Sequence, residues 1–369
     1  MEDDLQSKVR TAVSKAPLLR SAAVALVVSA IATLAATRPG QAQDFIVDGE
    51  KIADAALFAA AKKEGQFTLY GTIPTESMSI TLDQFKKETG IVYDYIRLPT
   101  AKMYDRVLAE HGAKKLDADY VGLTDLPLIK AWMDQGILAA YKVPTFDVLP
   151  AELKDAQGRW YYVVRPITAI AVNTETVKEV DYPKSWTDLF DPKWKGKIGM
   201  PSMDAGGSAL TLYAFLRLKI APDAWQMLAV NEPRIYATAA PTVSDLVRGR
   251  TSIGVSGASG YIREIENKAP VKVIFPAEGL AAFGEIGNVT ANAKHPNAAR
   301  LYMSYVLSKA GSSKVSEQGS YGTHPAAPSP AQGSYTFPPA SQVWTIGIAD
   351  WEKYQESYPR DWKEIFEKK

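Results

Sequence analysis

Segments with β-strand character alternate with helical segments of about ten residues, and this alternation constrains the fold more than any other sequence feature. Gln66 to Tyr70 is a β-favouring run, and Ile80 to Thr89 is a helical run that ends at Gly90, as helices commonly do. Ile91 to Leu98 has strand character again. Strands separated by helices imply βαβ units and a parallel sheet. The sequence therefore predicts an α/β fold, with a doubly wound lobe over residues 44–143.

The pattern changes after this lobe. Tyr161 to Asn173 is a long apolar and β-branched stretch, and strand and helix patterns alternate again beyond it. No repeat of about 20 to 50 residues is visible, which argues against a solenoid. A length of 369 residues suits two domain-sized units. We therefore expect a second α/β lobe.

The first 42 residues have the order of a secretory signal. Basic residues precede the uncharged run Ser21 to Ala36, and small residues follow, ending at Ala42. A run of 16 helical residues reaches about 24 Å, which is short of a hydrocarbon core of about 30 Å. We therefore expect cleavage after Ala42 and an exported protein rather than a membrane anchor.

Composition excludes several classes of protein. The chain has no cysteine, so disulfides, thiolate metal sites, thiol catalysis and lipid attachment through cysteine are excluded. It has 42 Lys and Arg against 41 Asp and Glu, with no long basic run, which argues against nucleic-acid binding. The three histidines, His111, His295 and His324, have no metal-binding spacing, and phosphate-loop and nucleophile-elbow motifs are absent.

Four predicted strands end in loops rich in Gly, Ser and Thr. In open α/β sheets, ligands bind outside the carboxyl ends of the strands, where backbone N–H groups collect. Each loop alone is more typical of helix capping or a turn. Four of them in one chain predict a cleft lined with neutral hydrogen-bond donors. The loops are residues 71–77, 122–125, 202–208 and 256–259.

Two longer motifs are more specific: Pro183 to Ile198, PKSWTDLFDPKWKGKI, and Ala293 to Leu301, AKHPNAARL. With these motifs, the chain resembles the periplasmic solute-binding proteins of ABC importers, in the ferric-iron, phosphonate and sugar-phosphate group of family 1. The resemblance covers nearly all of the chain after residue 42.

The resemblance implies a type II periplasmic-binding-protein fold, with two α/β lobes, a hinge and an interlobe cleft. It implies one lobe formed by residues 44–143 and about 272–309, and a second formed by residues about 144–271 with the C-terminal tail, 310–369. The implied protein is a periplasmic monomer that is not an enzyme. It takes a small-molecule ligand, uses no cofactor and presents its closed form to a permease in the inner membrane.

Ferric members of this family hold the metal with adjacent tyrosines in the loop that corresponds to residues 259–262. This chain has one tyrosine there, Tyr261, and the first loop adds only Glu76. Tyr161 and Tyr162 are adjacent, but neighbours in a strand point to opposite faces and cannot bind one ion. Because a hard metal ion needs several oxygen ligands, we expect no metal. Ferric binding through Tyr261 and Glu76 is the alternative.

The hydroxyl-rich loops suit an oxyanion instead. We expect Arg165 to supply a bidentate counter-charge, with a surface ion pair as an equal alternative, and Tyr261 to contact the organic part of the ligand. The expected ligand is a phosphonate, sugar phosphate or carboxylate. The candidate ligand-binding residues are Thr72, Ser77, Thr124, Arg165, Ser202, Asp204, Ser208, Tyr261 and Glu285.

Two further alternatives stay open. A secreted hydrolase would use Asp204 and Glu285 as paired carboxylates in the same cleft, although no activated nucleophile or histidine base is visible. A receptor-coupled sensor would use the same closure as a transport protein.

Overall fold

The computed structural model describes residues 43–367. The expected signal segment, residues 1–42, lies outside the described residues. Within this described part of the chain, no helix is both long enough and apolar enough to cross a bilayer.

Strands and helices alternate along the described chain, as the sequence pattern predicts. The strands are β1 (Phe45–Val47), β2 (Glu50–Ala53), β3 (Gln66–Gly71), β4 (Val92–Arg97), β5 (Tyr120–Leu123), β6 (Tyr161–Val164), β7 (Thr168–Asn173), β8 (Ile198–Pro201), β9 (Arg234–Tyr236), β10 (Ile253–Gly257), β11 (Val271–Ile274), β12 (Leu280–Ala281), β13 (Glu285–Val289), β14 (Ala331–Gln332), β15 (Tyr335–Thr336) and β16 (Val343–Trp344). The helices are α1 (Ala55–Glu64), α2 (Thr75–Thr89), α3 (Thr100–Gly112), α4 (Leu126–Asp134), α5 (Gly207–Phe215), α6 (Ala224–Val230), α7 (Ala239–Val247), α8 (Ala258–Glu266), α9 (Pro296–Val306), α10 (Lys309–Glu317), α11 (Ile348–Tyr354) and α12 (Ser357–Phe366).

The first sheet has the strand order β4-β3-β5-β13-β6 and, with the helices packed on it, forms lobe 1. β3, β4 and β5 are parallel, which confirms the predicted βαβ units. β13 returns from later in the chain and runs antiparallel to β5 and β6. Aromatic contacts hold α2 and α9 against this sheet: the rings of Phe67, Phe85 and Tyr302 lie within 5.8 Å of one another.

The second sheet has the strand order β11-β7-β10-β8-β9 and forms lobe 2 with its helices. β8 is parallel to both β9 and β10, whereas β7 is antiparallel to β10 and β11. All six residues of β7 are buried, as the continuous apolar run requires of a strand covered on both faces.

Two segments cross between the sheets, residues 165–167 and residues 275–284. Pro166 has no N–H to donate, and the apolar stretch read as one unit divides there into β6 and β7. β6 pairs in the first sheet and β11 in the second. The crossings therefore lie later in the chain than the boundaries expected near residues 144 and 272.

The C-terminal segment contacts both lobes. α10 packs against α2 and α9, and α11 packs against α4, all in lobe 1, whereas α12 packs against α6 in lobe 2. The ring of Trp362 on α12 lies 5.5 Å from that of Tyr213 in lobe 2. The expectation that residues 310–369 all belong to lobe 2 is therefore wrong for α10 and α11.

A buried carboxylate ties β13 to the loop that follows β3. Glu285 has no exposed surface, and its Oε2 accepts hydrogen bonds from Thr72 N at 2.7 Å, Thr72 Oγ1 at 3.0 Å and Ile73 N at 3.2 Å. The Tyr120 hydroxyl donates to Oε1 at 3.2 Å. Four donors thus surround one carboxylate inside lobe 1.

Glycines on the neighbouring strands make room for this side chain. A Cβ atom at Gly71 on β3 would lie 3.0 Å from Glu285, and one at Gly122 on β5 would lie 2.9 Å away. Burial raises the pKa of Glu285, and the hydrogen bonds that it accepts from Thr72 and Ile73 oppose this shift. The pKa of Glu285 is raised overall.

Glu285→Gln should change how stability depends on pH. With a raised pKa, the folded chain binds a proton more readily than the unfolded chain from about pH 4.5 upward. The free energy of unfolding of the wild type should therefore fall, relative to that of Glu285→Gln, as the pH rises through the raised pKa. Urea unfolding of both proteins between about pH 4 and pH 8 measures this difference.

Glu76→Gln is the matched control, because it removes one exposed carboxyl group close to the same loop. If the free energy of unfolding of the wild type instead rose with pH relative to that of Glu285→Gln, the pKa of Glu285 would be lowered on folding. That result would contradict the raised pKa expected for the buried carboxyl group.

Candidate functional site

The carboxyl ends of strands from both lobes meet at a cavity of about 690 Å³, the interlobe cleft. In lobe 1, the loops after β3, β4 and β5 line it; in lobe 2, the loops after β8 and β10 and the start of α8 do so. Val164 at the end of β6 also contributes, as do both crossing segments, through Pro166, Ile167 and Phe283. This is the position at which open α/β sheets bind ligands.

Four of the predicted site residues line the cleft: Thr72, Ser77 and Thr124 from lobe 1 and Asp204 from lobe 2. Thr124 Oγ1 lies 3.0 Å from the hydroxyl of Thr100, another lining residue. Asp204 pairs with Lys363 of α12 at 3.1 Å. The structure thus brings hydroxyls from several predicted loops together, as the sequence suggested.

Two residues of the first loop, Thr72 and Ile73, do not offer the cleft the donors that were expected of them. The amide and hydroxyl of Thr72 and the amide of Ile73 all donate to Glu285. Thr72 therefore presents oxygen lone pairs to the cleft rather than N–H or O–H groups. The prediction of a donor-lined cleft is therefore wrong for Thr72 and Ile73, although the hydroxyl of Ser77 in the same loop lines the cleft.

The prediction that Arg165 faces the cleft is also wrong. Neighbouring residues in an extended chain point to opposite sides, and the two neighbours of Arg165, Val164 and Pro166, line the cleft. Arg165 points away and is 5% exposed, and its Nη2 donates to the carbonyl of Gly322 at 2.7 Å. It provides no counter-charge for a ligand in the cleft.

Tyr261 lies on the side of α8 that faces the second sheet. It is fully buried, and a Cβ atom at Gly254 on β10 would clash with its hydroxyl. Side chains two positions apart on a helix point about 200° apart, so Ser259 and Arg263 line the cleft while Tyr261 does not. The prediction that Tyr261 contacts the ligand is wrong, and burial raises its pKa, which disfavours a phenolate.

Three further predicted residues have local structural roles and do not line the cleft. Ser202 Oγ accepts a hydrogen bond from the amide of Asp204 at 3.3 Å, so it caps the turn after β8. Ser208 is half-buried in the first turn of α5. Glu285 lies beneath the loop after β3 and acts on the cleft only through that loop.

Two arginines that the sequence reasoning missed do line the cleft, Arg97 from lobe 1 and Arg263 from lobe 2. Both side chains are exposed. Arg97 Nε donates to the carbonyl of Thr72 at 3.3 Å, and within residues 43–367 no carboxylate lies within ion-pair distance of either guanidinium. The position of Arg97 at the end of a predicted strand was the signal that could have identified it.

The cleft also contains acidic groups. Asp125 caps the start of α4 by accepting a hydrogen bond from the amide of Leu128 at 3.3 Å, and burial raises its pKa. Asp204 lies in lobe 2, and the positive charge of Lys363 beside it partly neutralises its carboxylate. The cleft therefore carries both signs of charge, with the two cations unpaired.

The residues named for a ferric site do not meet in the cleft. Tyr261 is buried against its own sheet, and Glu76 is exposed and lies outside the cleft lining. Tyr161 and Tyr162 belong to different hydrophobic cores, as predicted for neighbours in a strand. In the part of the chain that the structure describes, no three histidine or acidic side chains are grouped as a metal site.

Comparison with known proteins identifies relatives of the chain. An uncharacterized protein of Haemophilus influenzae is 27% identical over 277 residues, which are 72% of this chain and 79% of that protein. A putative 2-aminoethylphosphonate-binding periplasmic protein of Salmonella typhimurium is 25% identical over 249 residues, 64% of this chain and 71% of that protein.

Solved structures share the fold. The periplasmic binding protein AfuA of Actinobacillus pleuropneumoniae, with fructose-6-phosphate bound, gives a TM-score of 0.64 at 22% identity, over 82% of this chain and 99% of its own. Iron-bound HitA of Pseudomonas aeruginosa gives a TM-score of 0.65 at 20% identity, and the match covers 80% of this chain and 99% of HitA. Such likeness shows the two-lobed type II periplasmic-binding-protein fold.

A family model described as bacterial extracellular solute-binding protein matches residues 118–353. This match covers more than half of the chain and includes strands of both sheets and the lobe 2 wall of the cleft. The protein is therefore a member of the bacterial extracellular solute-binding proteins.

Proposed function

We propose that this protein is the periplasmic binding component of an ABC importer, and that it captures a small organic anion in the interlobe cleft for delivery to a permease. The family membership supports the binding role. The names of similar proteins include binders of 2-aminoethylphosphonate, fructose-6-phosphate and Fe(III), so the ligand class has to be argued from the cleft.

The observation that carries the proposal is the pair of unpaired guanidiniums. Arg97 and Arg263 line one cavity from opposite lobes, and neither has a carboxylate partner within the described residues. A guanidinium binds phosphate, phosphonate or carboxylate through parallel N–H donors. A ligand that contacts both arginines would hold the lobes together, which is how a binding protein couples capture to closure.

The rest of the cleft favours a ligand that also carries hydrogen-bond donors. Thr72 offers lone pairs because its own donors are bound to Glu285, and Asp125 and Asp204 offer carboxylate oxygens. Hydroxyl or ammonium groups complement such acceptors. A sugar phosphate or an aminophosphonate meets both requirements, whereas a simple dicarboxylate meets only the first. The cleft volume is within the usual range of small-molecule sites.

The other two candidate functions have less support. Ferric binding has a named relative, but Tyr261 does not reach the cleft and Glu76 does not line it. Hydrolysis by Asp204 and Glu285 would need both carboxylates at the ligand, and Glu285 is fully buried with its oxygens bound inside lobe 1. Turnover of a bound ligand that is lost in Glu285→Gln would favour the hydrolase.

The two lobes are in direct contact at Gly207. Gly207 begins α5 in lobe 2, and a Cβ atom there would overlap the carbonyl oxygen of Thr124 in lobe 1. Glycine at this position therefore permits the close approach of the lobes.

Arg97→Met and Arg263→Met should each weaken binding of the ligand by about 10- to 100-fold, because each removes charge-assisted hydrogen bonds to the anion. A thermal-shift screen of phosphonates, sugar phosphates, carboxylates, polyamines and Fe(III) identifies the ligand, since a ligand raises the melting temperature of the form that it binds. Titration calorimetry with the best compound then measures the affinity of each variant.

Arg248→Met is the matched control, because Arg248 is an exposed arginine of lobe 2 outside the cleft lining. The proposal would be overturned if the wild type ignored organic anions and bound Fe(III) with a visible tyrosinate band. Equal affinity in all three arginine variants would show that the anion binds elsewhere.

Gly207→Ala should hold the lobes apart without disturbing either core. We expect a larger radius of gyration by small-angle scattering and an affinity for the same ligand that is lower by about tenfold or more, because closure is opposed by steric overlap. Gly347→Ala is the control, since no atom lies within 4 Å of a Cβ placed at Gly347, its φ is −81° and it lies outside the cleft lining. Unchanged scattering and affinity in Gly207→Ala would contradict this role for the contact.

A further inference from the structure

A second cavity lies on the other side of the first crossing segment. It has a volume of about 310 Å³, and its lining shares no residue with that of the interlobe cleft. The separation follows from strand alternation: Val164, Pro166 and Ser320 line the cleft, whereas Arg165 and Tyr321 line this second cavity. We name it the hinge cavity, because Arg165 is the first residue of the crossing between β6 and β7.

Arg165 is a buried cation without a counter-ion. The side chain is 5% exposed, only its Nη2 has a hydrogen-bond acceptor, the carbonyl of Gly322, and its Nε is buried with no partner. Within residues 43–367 no carboxylate lies within ion-pair distance of the guanidinium. Burial lowers the pKa of Arg165 to about 10, and the charge interactions with Tyr162, Tyr321 and Glu152 oppose this shift only in part. A buried charge normally has a partner, because desolvation without one costs several kcal/mol.

The other polar groups of the cavity are already engaged or lie at its edge. His324 pairs through Nε2 with Glu50 at 3.2 Å, and its Nδ1 accepts the amide of Ala326 at 3.2 Å. The hydroxyl of Thr323 donates to the carbonyl of Tyr162. Glu152 lines the cavity but is exposed. Arg165 is thus the group in this lining with unused donor capacity.

We propose that the hinge cavity is an anion-binding site, in which a small monovalent anion of the size of chloride or formate pairs with Arg165. The site is tied to the hinge by the backbone: Arg165 and Tyr321 exchange two N–H···O bonds of 2.9 Å. An anion bound there stabilises the crossing segment in the arrangement seen in the structure. The inference concerns a site other than the interlobe cleft and does not depend on the identity of the transported solute.

Thermal unfolding in mixtures of sodium chloride and sodium gluconate at constant ionic strength tests the proposal. The double variant Arg97→Met, Arg263→Met serves as the background, so that chloride at the cleft arginines does not contribute. We expect its melting temperature to rise with the logarithm of the chloride concentration once this exceeds the dissociation constant, by roughly 1–3 °C at a tenfold excess. Adding Arg165→Met should abolish the chloride dependence.

Glu152→Gln provides a second variant that leaves the guanidinium intact. Because the rim carboxylate repels an anion, its removal should lower the dissociation constant for chloride several-fold, so that the melting temperature begins to rise at a lower chloride concentration. Chloride dependence that is absent in the double variant, or that persists after Arg165→Met, would overturn the proposal. The proposal would also be overturned if the chloride dependence of the melting temperature were lost in Glu152→Gln but kept in Arg165→Met.

Crystals grown in sodium bromide keep the proposal testable if Arg165→Met does not fold. An anomalous bromide peak within hydrogen-bond distance of the Arg165 guanidinium is the expected result for the wild-type protein. A cavity that contains only water, or the Glu152 carboxylate paired with Arg165, would overturn it.

Discussion

The carboxylate of Glu285 determines the chemistry of the ligand-facing loop. Its Oε2 accepts hydrogen bonds from the amide and hydroxyl of Thr72 and from the amide of Ile73. These bonds fix the loop after β3 to β13, the strand that returns from lobe 2. The same bonds use the donors that would otherwise face an anion. In the proposed binding site, Arg97 and Arg263 would then recognise the charge of the ligand, and Thr72 would contribute hydrogen-bond acceptors. One buried group thus sets both the geometry of lobe 1 at the cleft and the polarity of the site.

The crossing segment separates two electrostatic environments. Val164 and Pro166 face the interlobe cleft, and Arg165 between them faces the hinge cavity. The cleft arginines and Arg165 therefore lie on opposite sides of the same short connection, and residues of the C-terminal segment form much of the lining of the hinge cavity. Since Arg165 and Tyr321 are joined by backbone hydrogen bonds, the C-terminal segment, the hinge and the buried guanidinium form one structural unit.

Local features were predictable from the sequence, and side-chain orientations were less so. The helix end at Gly90, with a φ of 72°, followed from residue type alone. Arg165 and Tyr261 were assigned to the ligand from their places in the chain, but strand alternation and helix periodicity turn both away from it. The surroundings of Glu285 were not predictable locally, because they depend on Gly71 and Gly122 from two other strands.

We propose that two arginines from opposite lobes, Arg97 and Arg263, hold the anionic group of the solute. A crystal structure of the protein with a bound aminophosphonate or sugar phosphate tests it most directly. The expected result is a phosphonate or phosphate group within hydrogen-bond distance of both Arg97 and Arg263, with the hydroxyl or ammonium groups of the ligand directed at Thr72 or the acidic residues. An anionic group that contacts neither guanidinium, or a metal ion bound in the cleft in its place, would contradict the claim.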